Sequence, residues 1–151
     1  MADTAVHPRP DPRVMQGVIP YLNLRGRAAE AADFYIRAFG ATDLGRMAHD
    51  SVPGMPGTPG HLLHAQIEIN GGALMMTDHM DAGGDTAAGP MPSGHLQLVV
   101  GDGRAWWDRA LAAGCTEVMP FGPQPWGDDW GLMVDPFGIH WAILQPGPES
   151  A

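Results

Sequence analysis

The sequence is short of cysteine, of positive charge and of long apolar runs. Its single cysteine, Cys115, among 151 residues excludes an intrachain disulfide framework and is typical of a reducing cytosol, where we expect the protein to reside. The 8 Lys and Arg residues against 17 Asp and Glu give a net charge of -9, which argues against nucleic acid or an anionic membrane surface as a partner. No window approaches the ~20 apolar residues of a spanning helix, so no membrane partner is expected either.

The length and composition predict one compact domain. A chain of 151 residues that is 44% hydrophobic can bury one core of ordinary size. Residues 1–13 are polar and contain three prolines, so we expect a flexible arm rather than a secretory signal, and residues 148–151 are expected to form a loose tail. Within the domain, 14–147, a Gly- and Pro-rich linker at 81–93 separates module one (14–80) from module two (94–147).

Each module shows the same order of one strand, one helix and three strands. In module one the pattern predicts a strand at Val14–Leu24, a helix at Ala28–Phe39 capped by Gly40, strands at Ala41–His49 and His61–Ile69, a turn at Asn70–Gly72 and a strand at Ala73–Thr77. In module two it predicts a strand at Gly94–Val100, a helix at Gly103–Ala113 and strands at Cys115–Phe121, Trp130–Val134 and Ile139–Gln145.

The two modules are an internal repeat. An offset of 74 residues places Leu22 on Leu96 and Gly40 on Gly114. For the last strands we align the turn glycines at an offset of 66, which pairs Met76 with Ala142. The repeat predicts an α+β fold of two βαβββ modules, in which each helix covers the outer face of a curved sheet and the inner faces enclose a central cavity.

Strand alternation divides the side chains between the two faces. It predicts that Leu22, Leu24, Leu96 and Leu98 face the helices. The residues predicted to line a ligand pocket are Tyr21, Asn23, Met76, His95, Gln97, Trp126, Trp130 and His140. Two interpretations of Trp126-Gly127-Asp128 stay open at this point. Trp126 and Trp130 either stack on a planar ligand, or the segment is a structural turn.

Several short motifs resemble one known superfamily. They are Pro20-Tyr21-Leu22, Phe34-Tyr35, His64-Ala65, Met75-Met76-Thr77-Asp78, Trp126-Gly127-Asp128 with Gly131, and Asp135-Pro136-Phe137-Gly138 followed by Trp141. On these residues the chain resembles the glyoxalase and bleomycin-resistance (vicinal oxygen chelate) superfamily. More narrowly, it resembles the PhnB-like branch, often labelled demethylubiquinone methyltransferase-like. The resemblance implies the paired βαβββ fold, a central pocket and a homodimer, and it leaves the chemistry open.

The resemblance also allows a test for metal ions and cofactors. Metal-dependent relatives place ligands at positions that the repeat assigns to Tyr21, Met76, His95 and Ala142, of which only His95 is a usual ligand. We therefore predict no metal; Asp78 or His140 would have to substitute. No Gly-rich strand-to-helix turn supports a nucleotide cofactor, and we expect none. Cys115 has no local base, so the catalytic residues, if any, stay unidentified.

The predicted function is small-molecule binding without a metal, with sequestration of a planar or apolar ligand as its simplest form. One alternative is a divalent-metal-dependent lyase, isomerase or dioxygenase that keeps His95 as a ligand. Another is an interaction protein with a vestigial pocket. Pairing of the modules within one chain and pairing across a dimer are both compatible with the sequence.

Overall fold

The chain folds into the repeated βαβββ unit that the sequence predicted. A computed structural model describes residues 17–51, 53, 57–78 and 94–148. These residues contain two βαβββ modules in an α+β architecture. They group into two compact units, one with residues 17–36 and the described part of 40–78, the other with residues 37–39 and 94–148. The predicted arm (1–13) and linker (81–93) lie outside the described residues.

The first module is a four-stranded sheet with one helix. Its elements are β1 (Tyr21–Asn23), α1 (Ala28–Phe39), β2 (Thr42–Ala48), a short 3-10 helix (His49–Ser51), β3 (Leu62–Ile69) and β4 (Gly72–Thr77). The strand order is β1-β4-β3-β2, with β1 parallel to β4 and the other pairs antiparallel. The predicted strand Val14–Leu24 is too long in its described part, because Gly17 has a φ of 68° and Pro20 has no N–H to donate to a ladder.

Helix α1 has the predicted bounds because one side of it is continuously apolar. Its fully buried residues are Ala28, Ala31, Ala32, Tyr35 and Ala38. Gly40 ends the helix in the left-handed region with a φ of 64°, and its N–H donates to the carbonyl of Ile36 at 3.1 Å. Arg46 of β2 donates to the Asp33 carboxylate on α1 at 2.7 Å, which places the helix over the face of the sheet that carries Arg46.

A tight hairpin joins β3 to β4. Asn70 and Gly71 have φ angles of 51° and 81°, the two positive values that a type I′ turn requires. Ile69 pairs with Gly72 across this turn. The predicted hairpin is confirmed, and Gly72 is the first residue of β4.

The second module repeats this plan. Its elements are β5 (Leu96–Val99), α2 (Gly103–Ala113), β6 (Thr116–Pro123), β7 (Asp129–Val134) and β8 (His140–Gln145), in the sheet order β5-β8-β7-β6. The Asp102 carboxylate accepts from the Ala105 N–H at 3.1 Å and begins α2. Trp107 of α2 is buried and stacks on Phe121 of β6 with ring centroids 5.8 Å apart, which holds the helix on the sheet.

The predicted alignment of the last strands is wrong by one residue. Leu22 pairs with Met76, and its repeat equivalent Leu96 pairs with Trp141, so the offset is 65 rather than 66. The reason is turn length. Two residues separate β3 from β4, whereas five residues, 135–139, separate β7 from β8. Two glycines at different places in unlike turns are not equivalent.

None of the helices in the described part of the chain has the length and apolar character needed to cross a membrane.

Candidate functional site

Each sheet has one face covered by its helix and an opposite face, which we call the helix-free face. Directly paired residues on neighbouring strands point to the same face. On the first sheet the pairings therefore place Tyr21, Asn23, His64, Gln66, Met75 and Thr77 on the helix-free face. On the second sheet they place His95, Gln97, Trp130, Leu132, His140 and Ala142 there. The predicted alternation is confirmed: Leu22, Leu24 and Leu98 are buried, while Tyr21, Asn23 and Gln97 are exposed.

The prediction that Met76 shares a face with Tyr21 is wrong. Met76 is fully buried on the helix-covered face, opposite Leu22 and Ala65. The residue beside Tyr21 is Met75. A shift of one residue along a strand moves a side chain to the other face. The error of one residue in the alignment of the last strand therefore assigned to Met76 the position that Met75 occupies.

A row of hydrogen-bonded side chains crosses the helix-free face of the first sheet. The Tyr21 hydroxyl lies 2.5 Å from Nδ1 of His64, and Nε2 of His64 lies 3.1 Å from Oε1 of Gln66. No local pattern in the sequence brings these side chains together, because Tyr21 lies on β1 and His64 on β3, with β4 between them. Asn23 stabilises the local backbone, since its Oδ1 accepts from the N–H of Arg25 at 3.1 Å.

An aromatic cluster occupies the helix-free face of the second sheet. The Trp130 ring contacts His95 edge-on, with centroids 6.1 Å apart, and contacts Trp126 in the same way at 6.2 Å. The Trp130 Nε1–H donates to Oε1 of Gln97 at 3.3 Å. Four predicted pocket residues are therefore brought together within one unit. We call His95, Gln97, Trp126 and Trp130 the aromatic cluster.

The segment that carries Trp126 is also a structural turn. The Gln124 N–H donates to the carbonyl of Asp128 at 2.8 Å, and the Gly127 N–H donates to the carbonyl of Gln124 at 3.0 Å. The Asp128 carboxylate then accepts from the N–H of Gly147 at 2.9 Å, which fastens the segment after β8 to the turn. The turn interpretation is confirmed, and the turn leaves Trp126 59% exposed beside Trp130.

With this geometry established, the comparison with known families is decisive. A family model described as the Glyoxalase/Bleomycin resistance protein/Dioxygenase superfamily matches residues 20–143. The chain belongs to this superfamily. An uncharacterised protein of Mycobacterium bovis is 42% identical to it over 128 residues, which are 81% of this chain and 78% of that protein.

Two solved structures share this fold. Protein PA1353 from Pseudomonas aeruginosa has a TM-score of 0.72 at 24% identity, covering 88% of this chain and 99% of that one. The PhnB protein from Bacillus cereus has a TM-score of 0.67 at 23% identity, covering 86% of this chain and 99% of that one. The superfamily and the fold expected from the motifs are confirmed.

The donor set on the helix-free faces does not fit the divalent metal that some superfamily members use. The corrected register places Met75 beside Tyr21, and continuation of the pairing of Leu96 with Trp141 places His140 beside His95. Two imidazoles fall short of the three protein ligands that catalytic zinc takes. Among the described residues, no group of three or more His, Cys, Asp or Glu side chains is arranged to hold a metal ion.

Asp78 has a structural role instead of the ligand role considered from the sequence. Its carboxylate is fully buried, and it accepts from the N–H groups of Gly26 at 2.8 Å, Ala28 at 2.9 Å and Leu62 at 2.9 Å. Ala28 is the first residue of α1 and Gly26 lies two residues before it, and Arg27 between them provides no side-chain cap. The carboxylate thus caps the helix from the end of β4, and both of its oxygens are engaged by backbone donors.

Asp135, the first residue of the motif Asp135-Pro136-Phe137-Gly138, also has a structural role. Its Oδ1 accepts from the N–H groups of Phe137 and Ile139, each at 2.9 Å, and its Oδ2 accepts from the Trp141 indole at 2.9 Å. These bonds close the turn between β7 and β8. The motif from Asp135 to Trp141 therefore has a structural role in this turn.

Cys115 lies between α2 and β6 and is buried. Burial, with the nearby Asp135 carboxylate adding to it, raises the pKa of the thiol to about 12. A thiol is nucleophilic only as the thiolate, so Cys115 is not a nucleophile at neutral pH.

Proposed function

We propose that this protein binds a planar, largely apolar small molecule on the aromatic cluster, without a metal ion. The observation that carries the proposal is the exposure of Trp126. A tryptophan that is 59% exposed and lies edge-on to a second indole leaves a large apolar surface in water. An exposed apolar patch of this kind, rimmed by polar residues, is typical of a ligand-binding or interaction site.

The chemistry of the cluster suits a flat ring system. Indole faces stack on planar groups, and the Trp130 ring contacts both His95 and Trp126. The hydrogen bond to Gln97 fixes the orientation of the Trp130 indole before a ligand arrives, which lowers the entropy lost on binding. Sequestration requires affinity and no turnover, so it is the simplest use of this surface.

Titration with acridine, a planar heteroaromatic probe, tests the proposal by thermal shift and by quenching of tryptophan fluorescence. Acridine should raise the melting temperature because it binds the folded state. Trp126→Ala should weaken its binding about tenfold, since one stacking contact contributes ~1–3 kcal/mol. Trp106→Ala, on α2 and outside the cluster, is the matched control and should bind like the wild type. The absence of any shift, or an unchanged Kd in Trp126→Ala, would contradict the proposal.

The metal-free part of the proposal has its own test against the rival metal enzyme. Elemental analysis after loading with Ni, Zn, Mn and Fe should find no stoichiometric metal after a chelation challenge. The adjacency of His95 and His140 is the feature that favours the rival. Near-stoichiometric metal that disappears in His95→Ala would overturn the metal-free proposal and direct the work to isomerase and dioxygenase assays.

We also propose that the protein is a cytosolic homodimer. The superfamily resemblance implies the dimer, and the edge strand β6 supports it because Val118 and Met119 are 46% and 51% exposed. The lone Cys115 supports the reducing compartment. Light scattering gives the oligomeric state directly, and a monomer at micromolar concentration would contradict the dimer. Fractionation of cells of the source organism, with immunodetection, tests the location.

A further inference from the structure

The row of side chains on the helix-free face of the first sheet has the layout of a proton relay. It runs from Tyr21, which is 49% exposed, through His64, which is 6% exposed, to Gln66, which is 1% exposed. The two contacts measure 2.5 Å from the hydroxyl to Nδ1 and 3.1 Å from Nε2 to Oε1. An outer acid, an inner base and a third group that orients the base are the elements of an acid–base site.

With Oε1 of Gln66 as the partner of Nε2, one tautomer of a neutral His64 sets the direction of both hydrogen bonds. The Gln66 carbonyl oxygen only accepts, so Nε2 of His64 carries a proton and donates it. In the neutral imidazole Nδ1 is then the acceptor, and the Tyr21 hydroxyl donates to it. Burial raises the pKa of the Tyr21 phenol, which keeps the hydroxyl protonated at neutral pH. The phenol oxygen still has lone pairs for a ligand.

We propose that Tyr21, His64 and Gln66 form a proton-accepting site for a ligand with a weakly acidic hydroxyl group, a phenol or an enol. The ligand O–H bond breaks and its proton passes to the Tyr21 oxygen, while the Tyr21 proton passes to Nδ1 of His64. His64 becomes an imidazolium whose Nε2–H still donates to Gln66. The ligand oxyanion accepts the new hydrogen bond from the Tyr21 hydroxyl. The site lies within the first sheet and does not rest on the planar-ligand proposal.

The surroundings couple the proton transfer to ligand binding. The sheet neighbours of Tyr21 and His64 on this face include the apolar Met75 and Met47. Besides the relay itself, Glu68 is the titratable side chain that the strand pairings place on this face of the first sheet, one position beyond Gln66 in the alternation. The ligand oxyanion supplies the negative charge that balances the proton on His64, so proton transfer and ligand binding occur together.

The site can be tested with 4-nitrophenol, whose absorbance distinguishes the phenol from the phenolate. The titration is run at a pH below the pKa of the free probe, where the free form is the colourless phenol. Binding should produce the yellow phenolate. In the same samples, the ¹⁵N signals of His64 should move from those of a neutral ring to those of an imidazolium. The probe 4-nitroanisole, which has no acidic proton, is the matched ligand control.

Two substitutions locate the effect. Tyr21→Phe keeps the half-exposed ring and removes the hydroxyl, and His64→Gln removes the base. Each should weaken phenolate binding about tenfold or more, as expected for loss of a hydrogen bond to a charged group. Trp106→Ala, on α2, should leave it unchanged. Melting curves show whether each variant is folded. If His64→Gln does not fold, the affinity of Tyr21→Phe alone tests the proposal.

Three results would overturn the assignment. They are a bound probe that keeps the phenol spectrum, equal affinity in Tyr21→Phe and wild type, and no binding of 4-nitrophenol at millimolar concentration. None of them bears on the acridine titration, so failure here leaves the aromatic cluster proposal standing.

Discussion

Substitution of Asp78 by asparagine should destabilise the fold strongly although it changes one atom. The carboxylate accepts three backbone N–H groups at 2.8 to 2.9 Å with no exposure to water. An amide offers one oxygen, so its NH2 group faces a backbone donor. At least one bond to a charged acceptor is lost, and one buried N–H is left without a partner. These losses cost about 3 kcal/mol together.

Denaturation followed by circular dichroism measures this cost. For a chain of 151 residues, about 3 kcal/mol lowers Tm by roughly 6–12 °C. Asp108→Asn makes the same chemical change at an exposed site on α2, where the carboxylate lies 3.7 Å from Arg104, and should change stability by less than about 0.5 kcal/mol. Equal stabilities for the two variants would refute the capping role of Asp78.

Two further predictions concern the second module. Gly131→Ala should lower the free energy of unfolding, measured by urea denaturation, by about 1–3 kcal/mol. A Cβ at this position would lie 2.7 Å from the Cα of Phe121 and 2.8 Å from the Trp107 ring. A variant as stable as the wild type would show that these groups move aside freely. The free energy of unfolding should fall between about pH 9 and pH 12 because of the titration of the Cys115 thiol. Its folded pKa is raised from 9.0 to about 12, so the unfolded thiol loses its proton first. Cys115→Ala should lack this component of the pH dependence, and an identical profile would contradict it.

The sequence predicted what depends on short-range periodicity. The apolar spacing from Ala28 to Phe39 gave the bounds of α1, because a helix must bury one continuous side. Alternation gave the faces of Tyr21 and Gln97 for the same reason. The superfamily motifs then supplied the topology, which periodicity alone leaves open.

The features that were missed depend on turns and on distant partners. The face of Met76 was wrong because turn length, not turn composition, sets the register of β4 relative to its repeat in β8. The contacts of Asp78 with Leu62 and of His64 with Tyr21 were missed because the partners lie 16 and 43 residues apart along the chain, beyond any local pattern. The proposed ligand residues of the aromatic cluster were found because two of them are tryptophans close together in sequence.

The cap supplied by Asp78 has a consequence for how the first module folds. Helices usually satisfy their first N–H groups with a neighbouring side chain, but α1 waits for a carboxylate 50 residues further along the chain. The first turn of α1 therefore becomes stable only when the end of β4 has docked. Formation of the helix start thus depends on a contact between residues far apart in the sequence. In hydrogen exchange, the amides of Gly26, Ala28 and Leu62 should open together as one cooperative unit, so that the helix start shares the protection of the sheet.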